Sequence, residues 1–162
     1  MLVLDIFTAD LLNPKHGEAI LSLLNEYALD KMGGGRELSC FVKQNLVAEL
    51  RQRPGTHVIL AFADDSPAGL SICFEGFSTF ACKPLLNIHD LIVAKPYRGM
   101  GLAKQLLAKA ESIARSLGCC KLTLEVLEGN LIAQAAYKSS GYSAYQLDPT
   151  AGQALFWQKS LN

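Results

Sequence analysis

The stretch Ile92-Val-Ala-Lys-Pro-Tyr-Arg-Gly-Met-Gly-Leu-Ala103 decides how the middle of this 162-residue chain folds. It overlaps the end of an apolar run, Leu85 to Val93, that is typical of a central strand buried on both faces. Pro96 breaks the strand, and the loop after it opens directly into the clearest helical pattern of the chain, Leu102 to Leu117. A buried strand that leads through a short loop into a helix predicts a βα crossover.

The loop within this stretch has the composition of an anion-binding site. Gly99 and Gly101 leave backbone N–H groups unobstructed by side chains, and the helix N-terminus adds further unpaired donors. Arg98 adds a positive charge beside them. No Lys-Ser or Lys-Thr follows the glycines, and their spacing differs from the dinucleotide-binding fingerprint. The sequence therefore predicts a phosphate cradle that is neither a Walker A loop nor a Rossmann loop.

Periodicity, turn residues and helix caps predict the remaining elements. The predicted strands cover residues 2–7, 57–63, 68–77, 85–93, 121–126, 142–146 and 154–159. The predicted helices cover residues 15–29, 39–51, 102–117 and 131–140, and a loop with three consecutive glycines, residues 30–35, separates the first two. This order predicts an α/β fold with a mixed, mostly antiparallel central sheet and flanking helices, in one domain of residues 1–162.

Composition excludes several classes of protein. The 15 basic and 15 acidic residues balance, so no basic excess points to a nucleic-acid partner. No apolar run approaches the ~20 residues that span a bilayer, and the N-terminus lacks a basic region typical of signal peptides. Five cysteines without a CxxC pair predict reduced, mostly buried thiols and no metal site. We expect a cytoplasmic protein that binds neither nucleic acid nor membrane.

Two motifs resemble those of GNAT-type acetyltransferases. The hexad from Arg98 to Ala103 fits Arg-x-x-Gly-x-Ala, which resembles the acyl-CoA motif of that family. The segment from Asn130 to Tyr142 is similar to the family's capped helix, with Tyr137 followed by a Gly-aromatic pair. From Val58 to Tyr142 the predicted element order also agrees with the family. The resemblance implies a GNAT-like acyl-CoA N-acyltransferase fold and acetyl-CoA as the co-substrate, with no metal.

The resemblance also implies where acetyl-CoA binds, in a gap between the strand ending at Val93 and the strand ending at Val126. The assigned residues are the backbone of Leu91, Ile92 and Val93 for the pantetheine arm, the amides of Gly99, Met100, Gly101, Leu102, Ala103 and Lys104 beside Arg98 for the pyrophosphate, and Asn130 near the pantetheine. Asn130 has a simpler interpretation as a helix cap alone.

Two residues are candidates for catalysis. The resemblance implies that Tyr137 protonates or hydrogen-bonds the departing thiolate, for which a phenol with a pKa near ~10 is suited. Its other interpretation is an aromatic residue packed under the helix. His89 lies in IHDLIV, where diamine acetyltransferases often carry a Glu, and is either the base that accepts the amine proton or a core residue. Strand alternation predicts that Asp90 faces away from His89 and has a structural role.

The function predicted from the resemblance is acetyl transfer from acetyl-CoA to a primary amine of a small molecule or peptide, by direct attack in a ternary complex. The resemblance implies acceptor recognition between Glu26 and Glu37, and the sequence is equally consistent with a solvated helix end and a flexible connection there. Alternatives are a non-catalytic acyl-CoA-binding sensor and a protein lysine or N-terminal acetyltransferase. The chain is also a candidate homodimer. The apolar segment around Phe156 and Trp157 is then either the edge of the dimer interface or an ordinary part of the core.

Overall fold

A computed structural model describes residues 3–161 of the chain. The strands are β1 (Leu4–Thr8), β2 (Thr56–Ala63), β3 (Ser66–Ser78), β4 (Lys83–Val93) and β5 (Leu122–Leu124). The helices are α1 (Pro14–Leu29), α2 (Cys40–Gln52), α3 (Leu102–Ser116) and α4 (Leu131–Ser139), and single 3₁₀ turns cover Lys31–Gly33 and Lys95–Tyr97. The predicted start of β1 at Leu2 lies outside the described residues.

The five strands form one sheet in chain order, β1-β2-β3-β4-β5. The first three pairings are antiparallel, and β2–β3 and β3–β4 are hairpins, whereas β4 and β5 run parallel because α3 crosses over between them. The turn Asp64-Asp65 joins β2 to β3, with Asp64 at a φ of 53°, as turn-forming residues tolerate. The predicted α/β fold with a mixed, mostly antiparallel sheet is confirmed.

Helices cover the two faces of the sheet. The face that carries Leu70 and Ile72 packs against α1 and α2, whose buried residues include Ile20 and Leu50. The opposite face packs against α3, and a Cβ at Gly69 would lie 2.9 Å from a methyl carbon of Leu106. Gly69 therefore lets α3 approach the sheet closely, which fixes the position of the α3 N-terminus.

The chain divides into two compact units, Met1–Leu124 and Glu125–Asn162. The first contains the whole sheet and α1 to α3, and the second contains α4 and the C-terminal segment. Asn130 caps α4 by accepting a hydrogen bond from the Ala133 amide at 3.2 Å, as the sequence predicts for a cap. Whether residues 1–162 act as one domain stays a prediction.

The predicted strands at the C-terminal end are wrong. Residues 142–146 and 154–159 form no strand, and the segment has one isolated antiparallel bridge, from Gln146 to Gln153, which does not propagate. Leu155, Phe156 and Trp157 are each at least 74% exposed, so this ribbon buries no face, and an unsupported two-stranded ribbon is marginal in water. The proposed dimer edge is thus not a strand here, and the homodimer stays a prediction. The strand predicted over residues 121–126 is also shorter, because it ends at Leu124.

Two expectations about burial are also wrong. The helical spacing of α2 predicts Phe41 on its apolar face, but Phe41 is 73% exposed because it lies in the first turn of that helix. Of the five cysteines, Cys73 is buried but three others are exposed, because they lie at a helix start, in the β3–β4 turn and just before β5. Burial raises the pKa of the Cys73 thiol to about 11.

Within residues 3–161, no helix is long and apolar enough to cross a membrane, and no three His, Cys, Asp or Glu side chains cluster as metal ligands would.

Candidate functional site

The loop between β4 and α3, residues 94–101, has the geometry of an anion cradle and is called the glycine loop below. Gly99 and Gly101 have φ values of 77° and 75°, which favour glycine, and added Cβ atoms there would meet nothing within 4 Å. Gly101 is the N-cap of α3 and brings no side chain to cap the helix. Amides of the first turn of α3 therefore remain available, beside open space, for the oxygens of a pyrophosphate.

The edge of β4 that leads into this loop carries free strand positions. β5 pairs with residues 86–88 of β4 and ends there, among the residues that the structure describes. The Ala94 amide donates to the Ala68 carbonyl on β3 at 2.9 Å, so by alternation the backbone groups of Leu91 and Val93 point to the opposite edge. The same alternation directs the backbone of Ile92 towards β3. The backbone of Leu91 and the amide of Val93 are therefore placed to pair with an extended ligand on this edge, while the Val93 carbonyl already accepts a hydrogen bond from Arg98 Nε.

The Arg98 side chain makes polar contacts with two other residues of the protein. Its Nε donates to the Val93 carbonyl at 3.1 Å, and its Nη2 lies 3.4 Å from Oδ2 of Asp30 at the end of α1. The Met32 amide, and after it the Arg98 guanidinium, lower the pKa of the Asp30 carboxyl. Arg98 thus keeps a positive charge at the glycine loop and also connects this loop to the end of α1.

A β-bulge in β4 brings two candidate side chains to one face of the sheet. Ile72 on β3 pairs with Asp90 and Cys73 pairs with Ile88, so His89 is one extra residue in β4. The His89 ring lies 5.4 Å from the Phe74 ring, edge to face. Both His89 and Asp90 line the same cavity. The prediction that Asp90 faces away from His89 is wrong, because the bulge interrupts the alternation on which it rested.

Asp90 is a half-buried carboxylate with no hydrogen bond or ion pair to any of residues 3–161. Burial raises the pKa of its carboxyl above the ordinary value, and the neighbouring His89 partly opposes this shift. Burial also raises the pKa of the Tyr27 hydroxyl on α1, followed by the charges of Asp90 and Asp30. A carboxylate held this way gains by meeting a cation, so it favours an ammonium ligand.

The cavity has a volume of about 460 Å³ and lies within the first unit, between α1, α2 and the bulged part of the sheet. Its apolar walls are Leu24, Leu38, Leu46, Leu50, Ile72 and Phe74. Its polar residues are Tyr27, Glu49, Arg53, His89 and Asp90. Mostly apolar walls with few polar groups are typical of a small-molecule site.

The predicted acid, Tyr137, lies in the second unit near the end of α4. Its ring lies 6.1 Å from the Tyr142 ring, and its carbonyl accepts the Tyr142 amide at 3.0 Å. Gly141 has a φ of 88° and lets the chain turn back between them. The local motif is therefore formed as the sequence implies, while the catalytic role of Tyr137 stays a prediction.

Sequence reasoning missed the contribution of α2 and undervalued Asp90. Glu49 and Arg53 lie one turn apart, 3.9 Å between Oε2 and Nη2, and both reach the cavity. With Leu46 and Leu50 they occupy the spacing of one helix face, which is a visible signal in the sequence. A carboxylate within an apolar strand, next to His89, is also a signal, but the bulge cannot be derived from the pattern.

Comparison with known proteins identifies the relatives of this chain. The sequence profile of the acetyltransferase (GNAT) family matches residues 17–142. A thialysine N-epsilon-acetyltransferase of Caenorhabditis elegans is 29% identical over 151 residues, which cover 85% of this chain and 89% of the relative. The crystal structure of a probable acetyltransferase superposes with a TM-score of 0.81 at 21% identity, covering 98% of this chain and 99% of that one. An aminoglycoside N-acetyltransferase in complex with CoA gives a TM-score of 0.75 at 18% identity, with 99% and 97% covered.

Proposed function

We propose that this chain, which belongs to the acetyltransferase (GNAT) family, transfers an acetyl group from acetyl-CoA to a primary amine of a small molecule or peptide. The observation that carries the proposal is the arrangement along β4. Its bulge presents His89 and Asp90 to a cavity, its free edge offers Leu91 and Val93, and its end leads into the glycine loop. One strand therefore borders both a donor site and an acceptor site.

The donor half of the site consists mainly of backbone groups. The amides of residues 99–104 bind the pyrophosphate of acetyl-CoA, and the open space beside Gly99 and Gly101 accommodates it. Leu91 and Val93 pair with the amide groups of the pantetheine arm, as a peptide adds to a sheet edge. Arg98 adds charge, and Asn130 combines its observed cap with a contact to the pantetheine.

The acceptor half of the site consists of side chains in the cavity. Asp90 binds the acceptor as an ammonium ion, and His89 takes a proton so that the neutral amine can attack the thioester carbonyl. The carbon–sulfur bond breaks, and Tyr137 protonates the departing thiolate. The amide product and CoA are released without an acyl-enzyme.

The cavity and the relatives both support a small amine as the acceptor. Apolar walls from α1, α2 and β3 suit the carbon stem of an amine, while Glu49 and Arg53 offer charges of both signs at the exposed side. The relatives are named for thialysine and for aminoglycosides, both of which are small polar amines. We propose the same class of acceptor here, in the cytoplasm.

Thiol release from acetyl-CoA tests this proposal. Purified protein is incubated with thialysine, lysine, polyamines, an aminoglycoside and short lysine peptides, and acetylated products are identified by mass spectrometry. We expect one class of small amine to turn over, with a loss of about 100-fold in Tyr137→Phe. Turnover of peptides alone would favour a protein acetyltransferase, tight acetyl-CoA binding without any turnover would favour a sensor, and no acetyl-CoA binding would refute the proposal.

A further inference from the structure

The loop between α1 and α2, residues 30–39, is built around Asp30. Its Oδ1 accepts the Met32 amide at 3.0 Å, and its carbonyl accepts the amides of Gly33 at 2.9 Å and Gly35 at 3.1 Å. Asp30 thus nucleates the 3₁₀ turn within a triple-glycine segment that has little preference for any one conformation. Hydrogen bonds to the side chain and the carbonyl of Asp30 therefore hold a turn whose own glycines do not favour one conformation.

The same turn forms part of the cavity wall. Gly33 lines the cavity, and a Cβ at this position would lie 1.9 Å from the Tyr27 carbonyl, so the turn sits directly on the end of α1. The Tyr27 hydroxyl donates to the Met32 carbonyl at 3.3 Å and also lines the cavity. When this turn is ordered, the part of the wall that it forms in the proposed acceptor site is therefore ordered as well.

The second carboxylate oxygen of Asp30 connects the turn to the donor site. Oδ2 pairs with Arg98, whose Nε binds the Val93 carbonyl at the free edge of β4. A parallel contact lies one turn earlier on α1, where Oε1 of Glu26 accepts the Lys95 amide at 2.9 Å. The end of α1 therefore holds the glycine loop at two points, and Asp30 joins it to the α1–α2 loop.

We propose that Asp30 is a positioning residue that couples the two sites: CoA on the glycine loop orders the 3₁₀ turn that walls the acceptor cavity. The inference rests on the proposed function, since it takes acetyl-CoA as the ligand of the cradle. Ligand that fixes the glycine loop and the Val93 edge also fixes Arg98, which then holds Asp30 and the turn. Ordering a glycine-rich segment is costly in entropy, so a turn already ordered by CoA binds the amine more tightly. By thermodynamic linkage, bound amine raises the affinity of the protein for CoA by the same factor.

Hydrogen–deuterium exchange of the whole chain with CoA alone tests this coupling without any amine or turnover. We expect saturating CoA to slow exchange of the amides of Met32, Gly33 and Gly35 by about fivefold or more, the lower end of typical coupling between sites. In Asp30→Asn and in Arg98→Gln this protection is lost, although CoA still binds when its concentration is raised. Arg98→Gln is the sharper variant, because it leaves the bond from Asp30 to Met32 in place while it removes the connection to the glycine loop. It also removes a positive charge from the donor site, so the comparison is made at CoA concentrations that saturate each variant.

Glu37→Gln is the matched control. Glu37 is a carboxylate of the same loop, but among residues 3–161 it pairs with Lys43 at 2.6 Å and makes no hydrogen bond or ion pair with the glycine loop, so we expect CoA protection to be retained. Protection of the turn in CoA-saturated Arg98→Gln equal to that of the wild type would overturn the proposal. Absence of protection in the CoA-saturated wild type would overturn it equally. Failure of the wild type to bind CoA, measured by calorimetry in the same samples, would instead refute the proposed function.

Discussion

The two halves of the proposed site differ in the chemical groups that form them. The donor half is backbone: glycine amides, the first turn of α3 and the free edge of β4. The acceptor half is side chains, gathered from two helices and two strands around His89 and Asp90. A backbone site tolerates changes of side chain but not of glycine, whereas a side-chain site changes its ligand with single substitutions. The difference suits a protein in which the donor stays the same and the choice of acceptor is set by separate side chains.

Replacing Asp90 is expected to have the largest effect and to act on the acceptor half alone. Asp90→Asn keeps the shape of the side chain but removes the charge that binds the ammonium, so kcat/KM for the amine falls about 100-fold. The dissociation constant of acetyl-CoA, measured by calorimetry, stays within about twofold, because the cradle contains no side chain of the cavity. Asp65→Asn, which removes an exposed carboxylate paired with Lys15, is the control and leaves both values unchanged. Unchanged turnover in Asp90→Asn would contradict the acceptor half of the account.

Replacing Gly101 is expected to act on the donor half. Gly101→Ala places a Cβ in the open space at the α3 N-terminus, and acetyl-CoA binding weakens about tenfold or more. Gly118→Ala is a closely matched control, since Gly118 follows the other end of the same helix, has a φ of 70° and also has open space around it. Both variants lose about 1 kcal/mol of stability from left-handed backbone strain, and only the first loses affinity for the donor. Equal affinities in both variants would show that the cradle does not bind acetyl-CoA.

The wall of the cavity gives a smaller, intermediate effect. Gly33→Ala forces the 3₁₀ turn away from the Tyr27 carbonyl, and we expect the KM of the amine to rise by about tenfold, with a smaller rise for acetyl-CoA. Gly35→Ala is the control. Its backbone is strained at a φ of 71°, but its Cβ meets no atom within 4 Å, so it strains the loop without pushing the turn away from α1. Steady-state kinetics with both substrates varied makes the comparison. An equal rise of both KM values in Gly33→Ala would argue against a wall specific to the acceptor.

The smallest expected effect is on stability and reflects the cost of the buried carboxylate. Because burial raises the pKa of Asp90 in the folded state, its contribution is favourable below the unfolded value near ~3.9 and is lost as pH rises through the raised value. Asp90→Asn therefore melts about 2–4 °C higher than the wild type at pH 7, and the gap closes towards pH 4. Calorimetric melting over this pH range measures it. A variant that is less stable at pH 7 would indicate a partner for Asp90 that stabilises its charge.

The sequence predicted the backbone geometry of the glycine loop far better than the geometry of the cavity, for a physical reason. Glycine spacing after a buried strand reports directly on backbone geometry, so Gly99, Gly101 and the start of α3 follow from local pattern. The cavity depends on which side chains meet across α1, α2, β3 and β4, and the register of β4 shifts at His89 by one residue. Nothing in the alternation of IHDLIV signals that shift, so the face of Asp90 was predicted wrongly.

The C-terminal segment was over-interpreted for a related reason. An apolar run with Phe156 and Trp157 has the composition of a strand, but a strand needs a partner and a buried face, and composition supplies neither. The helices were predicted within one or two residues because their caps are local. Asn13, Ser39 and Asn130 each accept the hydrogen bond that starts a helix.

The measurement that tests the central claim most directly is an amide footprint of acetyl-CoA in ¹H–¹⁵N spectra of the labelled protein. The account predicts the largest shifts at Leu91, Val93 and residues 99–104, with smaller changes in the turn around Asp30. An amine that the protein acetylates, added together with CoA, should instead shift the amide signals of His89, Asp90 and the facing residues of α2. Large shifts confined to residues outside the glycine loop and the β4 edge would contradict the claim that this strand joins a backbone donor site to a side-chain acceptor site.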